Sequence, residues 1–453
     1  MAPSTRRVAW AVATGAAIGA LVTVSPLFVV AATFAVITVV AAGQSLPDDE
    51  RRTVTAILAA GILARIAVVA AFAIWSVPVA SAQSGGVLLG DEAYMFERSL
   101  RARDLLLGFS VGKLDYVMVF EEYANTKYVW WLSWMQITFG PSPYALRLLN
   151  GLLFVAAAAI LYRLARRGFG PTAAQMGLLA LLLLPSLLFG SVSLLKDSIF
   201  FFLTVVAFAA AVMIGRGASR REQIFGAALL LAMLWGVSDL RPQAIAITGG
   251  GLALGFAMRW TLQRRAVLTA AVVVVVAAAV ALAMSDRLSM AVRDALTLLS
   301  RQHMGHATAP GHAYRTLDDR FYPDWESALA GLPLQPAEAI RYVGRSTLAF
   351  VLVPLPWQAT TTSELVYIPE QIVWYLIAVF GLAGVLPAYR RDPLLTSLLL
   401  GYMLVIGAAI ALTNGNVGTL VRLRGLVMRF AVWIAAVGLV AVIHRFTARK
   451  GGA

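Results

Sequence analysis

Apolar runs long enough to cross a lipid bilayer recur along the whole chain, and this repetition constrains the fold most strongly. A transmembrane helix needs about 20 consecutive apolar residues. The 453 residues are 60% hydrophobic and only 13% charged, whereas soluble domains carry about 25% charged residues. The sequence therefore predicts an all-α fold, a polytopic bundle of transmembrane helices.

The runs predict about twelve spans, with interfacial helices in the loops between them. Residues 8–42 are too long for one span and are interrupted at Ser25-Pro26, which predicts a hairpin of two short helices. Two longer polar segments, 80–143 and 285–369, separate groups of spans. The other predicted spans lie near 53–79, 144–162, 173–192, 198–215, 223–239, 242–258, 266–284, 370–388, 394–413 and 425–443.

The distribution of Lys and Arg predicts the orientation, because basic residues accumulate in cytoplasmic loops. With the N-terminus inside, every predicted inner loop is basic. These loops carry Arg6/Arg7, Arg51/Arg52, Arg163/Arg166/Arg167, Arg216/Arg220/Arg221, Arg259/Arg264/Arg265, Arg390/Arg391 and Arg445/Arg449/Lys450. We therefore expect a multi-pass protein of the cell inner (plasma) membrane with both termini cytoplasmic. The loops also account for the net charge of +14, so nucleic acid is not an expected partner.

The predicted spans divide the chain into four segments. Residues 1–52 form an N-terminal transmembrane hairpin with an inner loop, and residues 53–284 form a transmembrane core that includes the first outer loop. Residues 285–369 form a large second outer loop, and residues 370–453 form the C-terminal transmembrane helices.

The short apolar stretch 346–356 interrupts the second outer loop and ends in Pro-Leu-Pro-Trp. A full crossing there would invert the later basic loops, so we expect a re-entrant or interfacial segment.

The sharpest local signal on the outer face is Asp91-Glu92, which opens an amphipathic stretch that runs through Leu107. Desolvation near lipid raises a carboxyl pKa toward neutral pH, so this pair suits a general base. Two carboxylates also suit a divalent cation. In a third interpretation they are simply acids at a helix N-terminus, where the helix dipole favours them.

Other charged groups cluster at the outer ends of spans, where such groups are costly unless they pair or face water. They allow two interpretations: structural ion pairs of small energetic value, or a clamp for a phosphate or diphosphate. The Gly/Asn-rich turn before the last basic pair offers backbone N–H groups to an anion. The candidate phosphate-binding residues are Lys196, Asp197, Asp239, Arg241, Arg422 and Arg424.

Three of the four histidines, His303, His306 and His312, lie in the second outer loop. Their spacing matches no tight zinc motif, and the chain has no cysteine to complete one. A solvated loop is the favoured interpretation, with a catalytic base as the alternative. We retain His303 as a further candidate for substrate or phosphate binding. The sequence predicts no cofactor and leaves a divalent cation possible.

The order of these features resembles the GT-C superfamily of integral-membrane glycosyltransferases, which use polyprenyl-phosphate-linked sugars. A span leads into an outer loop that opens with Asp91-Glu92, and interfacial helices and many spans follow. The stretch 143–150 and the stretch from Pro185 to Lys196-Asp197 resemble the middle of polyprenyl-phosphate-mannose-type and lipid-A-type members. The resemblance covers roughly residues 53–260. The N-terminal hairpin and the Asn-Gly-Asn turn depart from the family pattern.

The resemblance implies a sugar donor on a polyprenyl phosphate or diphosphate, because nucleotide sugars are not available outside the cytoplasmic membrane. It implies that Asp91 deprotonates a hydroxyl of a glycan or lipid acceptor while Glu92 orients it. The basic candidates would stabilise the leaving phosphate, and membrane lipids would surround the donor's tail. The sugar would transfer with inversion.

Three other functions remain open from the residues. A polysaccharide polymerase or ligase that joins lipid-linked repeats would depend more on Arg422, Arg424 and the histidine-bearing loop than on Asp91. A lipid or glycan transporter is less expected, because the two halves lack matching Gly/Pro-broken helices. A structural scaffold does not account for the mixed charges on the outer face.

Overall fold

In the computed structural model, most of the described residues are helical. An isolated bridge between Ala313 and Asn416 is the one β-type pairing found within them. The predicted all-α fold is confirmed. The described residues are 3–79, 90–121, 126–241, 243–264, 267, 269, 285–308, 312–322, 333–358 and 362–450.

Twelve helices lie in the described residues up to Gln263, and several of them start at a proline. Pro occupies the first turn of several helices because its missing N–H has no intrahelical partner there. The helices are α1 (Pro3–Val24), α2 (Pro26–Gly43), α3 (Asp48–Val79), α4 (Gly90–Leu106), α5 (Lys113–Phe120), α6 (Lys127–Phe139), α7 (Pro143–Phe169), α8 (Pro171–Leu183), α9 (Pro185–Ser191), α10 (Asp197–Arg216), α11 (Arg220–Leu240) and α12 (Ala244–Gln263).

Five helices and two short 3₁₀ turns follow in the described residues from Asp286 onward. Side-chain caps fix several boundaries along the chain: Asp392, for example, accepts a hydrogen bond from the backbone N–H of Leu395. The helices are α13 (Asp286–Ala307), α14 (Pro336–Leu352), α15 (Thr362–Arg391), α16 (Pro393–Thr413) and α17 (Val417–Lys450), and the 3₁₀ turns are Asp319–Phe321 and Pro356–Gln358.

Nine of the described helices are long and apolar enough to cross a membrane, which indicates a multi-pass membrane protein. The bent pair α8 and α9, which turn by 62° at their break, coincides with the predicted span 173–192 and brings the number to ten. The break at Ser25-Pro26 separates α1 from α2 as expected, although the apolar part of α1 is shorter, at Val12–Val24. Apart from residues 267 and 269, the predicted span 266–284 lies outside the described residues.

The chain forms two compact units rather than the four consecutive segments predicted from the sequence. The first unit comprises Met1–Leu164 and Leu178–Ile245, and the second comprises Ala165–Gly177 and Ala246–Ala453. Packing between helices distant in sequence produces this grouping.

Within the first unit, α6 is bonded at both ends to parts of the chain that are distant in sequence. At its start Lys127 pairs with Asp239 at the end of α11, at 2.8 Å, and at its end the carbonyl of Phe139 accepts a 3.5 Å hydrogen bond from Ser25. A helix of 13 residues is about 20 Å long, whereas the hydrocarbon core of a bilayer is about 30 Å thick. α6 therefore links the α1–α2 turn to the C-terminal end of α11 over a distance shorter than the hydrocarbon core is thick.

The stretch 346–356 is not a separate segment. Its first part is the C-terminal half of α14, which carries Glu338, Arg341 and Arg345 in its first half and packs against α16. Residues Ile340 and Leu348 of α14 are exposed apolar side chains, which is the pattern of an interfacial helix. In the structure the interfacial segment begins at Pro336, ten residues before the start predicted from the sequence.

In the second unit, α15 and α17 approach each other closely at two glycines. A Cβ atom added at Gly384 would collide with the carbonyl oxygen of Ile434, and one added at Gly438 would collide with that of Phe380. Such small residues allow backbone contact between membrane helices. Gly381, one turn away on α15, has open space around it.

We predict that Gly384→Ala lowers the free energy of unfolding by about 1–3 kcal/mol, because the added methyl group meets backbone that cannot give way. The matched variant Gly381→Ala should be neutral or stabilising by up to about 1 kcal/mol, since Ala is the better helix former. Unfolding in mixed detergent micelles measures both. Equal effects of the two substitutions would contradict the close approach.

Candidate functional site

The first turn of α4 is fastened to the first unit through the buried side chain of Glu92. Its Oε2 lies 2.8 Å from Nη2 of Arg147, near the start of α7, and both side chains are only 1% exposed. Its Oε1 accepts a 3.2 Å hydrogen bond from the backbone N–H of Leu194. One carboxylate therefore joins three parts of the chain that are distant in sequence.

Residues 192–195, which we call the anchored loop, are held at nearly every peptide group. Arg147 Nη1 donates to the carbonyl of Val192 at 3.4 Å. Asn150 Nδ2 lies 2.7 Å from the carbonyl of Ser193 and 3.3 Å from that of Leu195. Because buried backbone groups without partners are costly, the Glu92, Arg147 and Asn150 side chains replace the helical hydrogen bonds that the loop lacks.

Tyr128 on α6 completes this arrangement from the other side. Its hydroxyl oxygen accepts a 3.1 Å hydrogen bond from Asn150 Nδ2. Burial raises the pKa of the Tyr128 phenol above its ordinary value, so the group stays neutral at physiological pH. A neutral hydroxyl adds no charge to a region that already holds an ion pair.

The anchored loop leads directly into the predicted phosphate-binding residues. Lys196 is the N-cap of α10 and Asp197 is its first residue. Asp197 Oδ1 lies 2.5 Å from Nη2 of Arg241, just after α11, whose guanidinium also lies over the Phe200 ring at 5.4 Å. An acid at this position is favoured by the helix dipole.

The outer-loop helices are braced among themselves. Arg98 on α4 is fully buried, and its Nη2 donates to the carbonyl of Val119 at 3.0 Å and to that of Glu121. The Tyr94 hydroxyl donates to the Glu121 carboxylate at 2.7 Å. Ser133 on α6 donates to the carbonyl of Ser99 at 2.8 Å. The helices α4, α5 and α6 are therefore a folded part of the first unit.

Arg65 lies in the span α3 and is fully buried. Its Nη1 donates to the carbonyls of Gly61 and Leu182 at 2.8 and 3.2 Å, and its guanidinium lies 5.0 Å from the Phe154 ring centre. The end of α8 leaves carbonyls without intrahelical partners, and Pro185 has no N–H to offer. Arg65 therefore stabilises the break between α8 and α9.

Asp91 lies in the first turn of α4, next to Glu92, and its side chain falls outside the described part of the structure. Within the described residues, no group of three or more His, Cys, Asp or Glu side chains forms a candidate metal site. The proposed role of Asp91 thus depends on its place in the helix.

His303 belongs to the second unit, and its side chain is fully buried rather than solvated. Its Nδ1 lies 2.6 Å from the carbonyl oxygen of Asn414, so Nδ1 carries the proton, and its Nε2 faces the hydroxyls of Tyr322 and Thr316 at 2.9 and 3.0 Å. Burial lowers the pKa of the imidazole to about 4. A neutral ring with both nitrogens engaged offers no positive charge to a phosphate. His306 is partly buried and bonds the carbonyl of Thr413.

The Asn-Gly-Asn turn is also buried, in contrast to the exposed loop that its composition suggested. The backbone N–H of Val417 donates to the carbonyl of His312 at 2.8 Å, and that of Thr419 to the side chain of Asn416 at 3.2 Å. Asn414 Oδ1 accepts from the backbone N–H of Asn416 at 3.3 Å. These donors serve the start of α17, where they replace missing helical hydrogen bonds.

Arg424 is a buried structural contact of the second unit. Its Nη1 donates to Oε1 of Gln371 at 2.8 Å, its Nη2 donates to the carbonyl of Val353, and the Trp374 ring centre lies 5.2 Å from its guanidinium. Arg422, two residues earlier, is partly exposed. Both arginines belong to a different compact unit from Lys196 and Arg241.

The structure thus brings together five candidate residues in the first unit: Glu92, Lys196, Asp197, Asp239 and Arg241. Sequence reasoning assigned no role to the side chains that connect them, Arg147, Asn150 and Tyr128. The stretch 143–150 entered only through its resemblance. A polar Arg and Asn three residues apart at the start of an otherwise apolar span was the signal that could have identified them.

We predict strong coupling between Glu92 and Arg147. Replacing either by its neutral counterpart, in Glu92→Gln or Arg147→Gln, leaves the other charge buried and should lower the free energy of unfolding by about 3–5 kcal/mol. The double variant should lose less than the sum of the two. The partly exposed pair Arg103–Asp104 on α4 is the control, with an expected coupling below about 1 kcal/mol. Additive losses at Glu92 and Arg147 would contradict the ion pair.

We predict that stability falls as the pH is lowered from about 6.5 to 4. The unfolded chain protonates His303 near its ordinary pKa of about 6.5, whereas the folded chain does so only near 4. Protons thus favour the unfolded state in this window, at a cost of roughly 3 kcal/mol at its acid end. His303→Phe should flatten the pH dependence of the unfolding midpoint, whereas the exposed His312→Gln should not. An unchanged slope in His303→Phe would refute this origin.

Comparison with known proteins indicates no chemistry for this chain, so its function is argued from its own residues. No protein-family model, curated protein or solved structure matches this chain. The functional interpretation therefore follows from two features of the first unit: the carboxylates that open α4, and the basic side chains around the anchored loop.

Proposed function

We propose that the protein is a membrane glycosyltransferase of GT-C type, which moves a sugar from a polyprenyl-phosphate-linked donor to a glycan or lipid acceptor. One observation carries the proposal: Glu92 fastens the first turn of α4, where Asp91 lies, to Arg147 and to the loop that ends at Lys196. Acidic and basic groups from the outer loop and from three spans thereby meet in one unit. Transfer of a sugar from a phosphate needs an acidic group that takes up the proton and basic groups that stabilise the leaving phosphate.

The proposed chemistry assigns each group one task. Asp91 accepts the proton of the acceptor hydroxyl. At the same time, the oxygen of that hydroxyl forms a bond to the anomeric carbon of the sugar. The bond between that carbon and the phosphate oxygen breaks, and the lipid phosphate leaves with the electron pair. Lys196 and Arg241 stabilise the negative charge that develops on it. Attack opposite the leaving group inverts the anomeric centre.

In this proposal Glu92 is a positioning residue, because its carboxylate is already occupied by Arg147 and by the N–H of Leu194. It holds the start of α4 in place, which fixes where Asp91 sits relative to the anchored loop. Fixed geometry of this kind matters because transfer requires reacting atoms about 3–3.5 Å apart.

The proposed site faces away from the cytoplasm. The basic loops place the α1–α2 turn and the end of α11 outside when both termini are cytoplasmic, and α6 ties these two ends together. The donor is then a lipid-linked sugar, with its prenyl tail in apolar grooves between spans. No resident cofactor is required by this scheme.

The contacts within the second unit give less support to a polysaccharide polymerase or ligase. That function would depend on Arg422, Arg424 and the histidine-bearing loop. Arg424 is engaged by Gln371 and Val353, and the neutral ring of His303 is engaged at both nitrogens. A transporter finds no specific support among the described contacts.

We predict that Asp91→Asn lowers sugar transfer by about 10²–10⁴-fold, the range a general base contributes. Transfer is measured in membranes supplied with a panel of radiolabelled polyprenyl-phosphate sugars. Because the substitution keeps the side-chain size, the amount of inserted protein and its unfolding midpoint should not change.

The control is Asp104→Asn, which removes a carboxylate paired with Arg103 on the same helix. It should transfer sugar at the wild-type rate. Full activity of a properly inserted Asp91→Asn variant would refute Asp91 as the base. Loss of activity in both variants would show that α4 is merely sensitive to charge.

A further inference from the structure

A groove between α2 and α7 lies away from the site described above. It encloses about 380 Å³ and is lined chiefly by small and apolar side chains, a volume within the range of about 300–1,000 Å³ typical of ligand pockets. Its floor is formed by the buried Thr38, Ala42, Ala156 and Ala159, whereas Ile37 and Ala41 form an exposed edge. The groove therefore opens sideways from α2, and its walls suit a hydrocarbon chain.

One end of the groove is polar. Gln44, just beyond α2, and Arg163, near the end of α7, line it. Arg163 donates through Nη1 to the carbonyl of Ala41, which holds the guanidinium at this end. A guanidinium has five N–H donors in a fixed fork and recognises phosphate with two parallel hydrogen bonds.

The groove is separate from the proposed transferase site. Ala156 follows Arg147 by nine residues, or about two and a half turns of α7, so it lies on the opposite face of that helix. A lipid whose phosphate sits near Arg147 cannot place its tail in this groove without passing around α7. Binding in this groove is thus independent of the proposed function.

We propose that this groove binds one acyl chain of an anionic phospholipid, with the phosphate of the headgroup on Arg163 and Gln44. Three observations support this occupant: both helices are candidate spans, the opening is lateral, and the charged end is positive. Arg163 also belongs to a basic loop predicted to be cytoplasmic, where the surface of the inner leaflet is anionic.

Native mass spectrometry of the delipidated, full-length protein tests the proposal, with dioleoyl phosphatidylglycerol and dioleoyl phosphatidylcholine as the probes. We expect the anionic lipid to bind at least tenfold more tightly than the zwitterionic one. Arg163→Gln should remove that preference, because charge-assisted hydrogen bonds contribute about 1.5–3 kcal/mol, or roughly ten- to a hundredfold. Arg221→Gln, on an exposed residue of α11, should keep it.

Filling the groove tests the acyl chain separately from the headgroup. Ala159→Leu should reduce binding of the anionic lipid, whereas Ala32→Leu, at an exposed position of α2, should not. If Ala159→Leu fails to fold, Ala41→Leu at the exposed edge replaces it. Inorganic phosphate alone should not raise the unfolding midpoint.

Three results would overturn the proposal. The first is equal binding of both lipids by the wild-type protein. The second is unchanged binding of the anionic lipid by Arg163→Gln or by a folded groove-filling variant. The third is stabilisation by inorganic phosphate equal to that by the anionic lipid, which would identify an anion site without a chain-binding groove.

Discussion

The buried ion pair between Glu92 and Arg147 organises the first compact unit. Two charges out of water are costly unless they pair and their remaining hydrogen-bonding atoms are satisfied. Here the second oxygen of Glu92 serves Leu194, and a second nitrogen of Arg147 serves Val192. The same atoms that compensate the charges therefore hold the outer-loop helix and the loop before α10. The start of α4, where Asp91 lies, and the loop that leads to Lys196 depend on that geometry.

Two further buried polar side chains in the first unit also bond to backbone groups at breaks between helices. Arg65 satisfies a carbonyl at the end of α8, and Asn150 satisfies carbonyls of the anchored loop. In lipid there is no water to replace a missing hydrogen bond, so breaks in helices survive only where protein groups take its place. The bend of 62° between α8 and α9 is such a break.

The sequence predicted what depends on local pattern. Apolar length predicted where most of the described spans lie, with ends that differ by up to eight residues, and the Asp91-Glu92 signal correctly marked the start of α4. The connections across the unit could not be predicted, because Glu92 meets Arg147 and Leu194 at separations of 55 and 102 residues. His303 was misjudged for a related reason: the residues that bury it, such as Asn414 and Tyr322, come from elsewhere in the chain.

The contacts of Glu92 also have a consequence for the order of assembly in time. Its carboxylate has its full set of partners only after Leu194 has been synthesised, 102 residues later. At about 5–20 residues per second, this delay is roughly 5–20 s. The span α7 and the bent pair of α8 and α9 are made during that interval, so Glu92 gains its contact with Leu194 only after them. The outer-loop helix is therefore completed late, by chain that follows it.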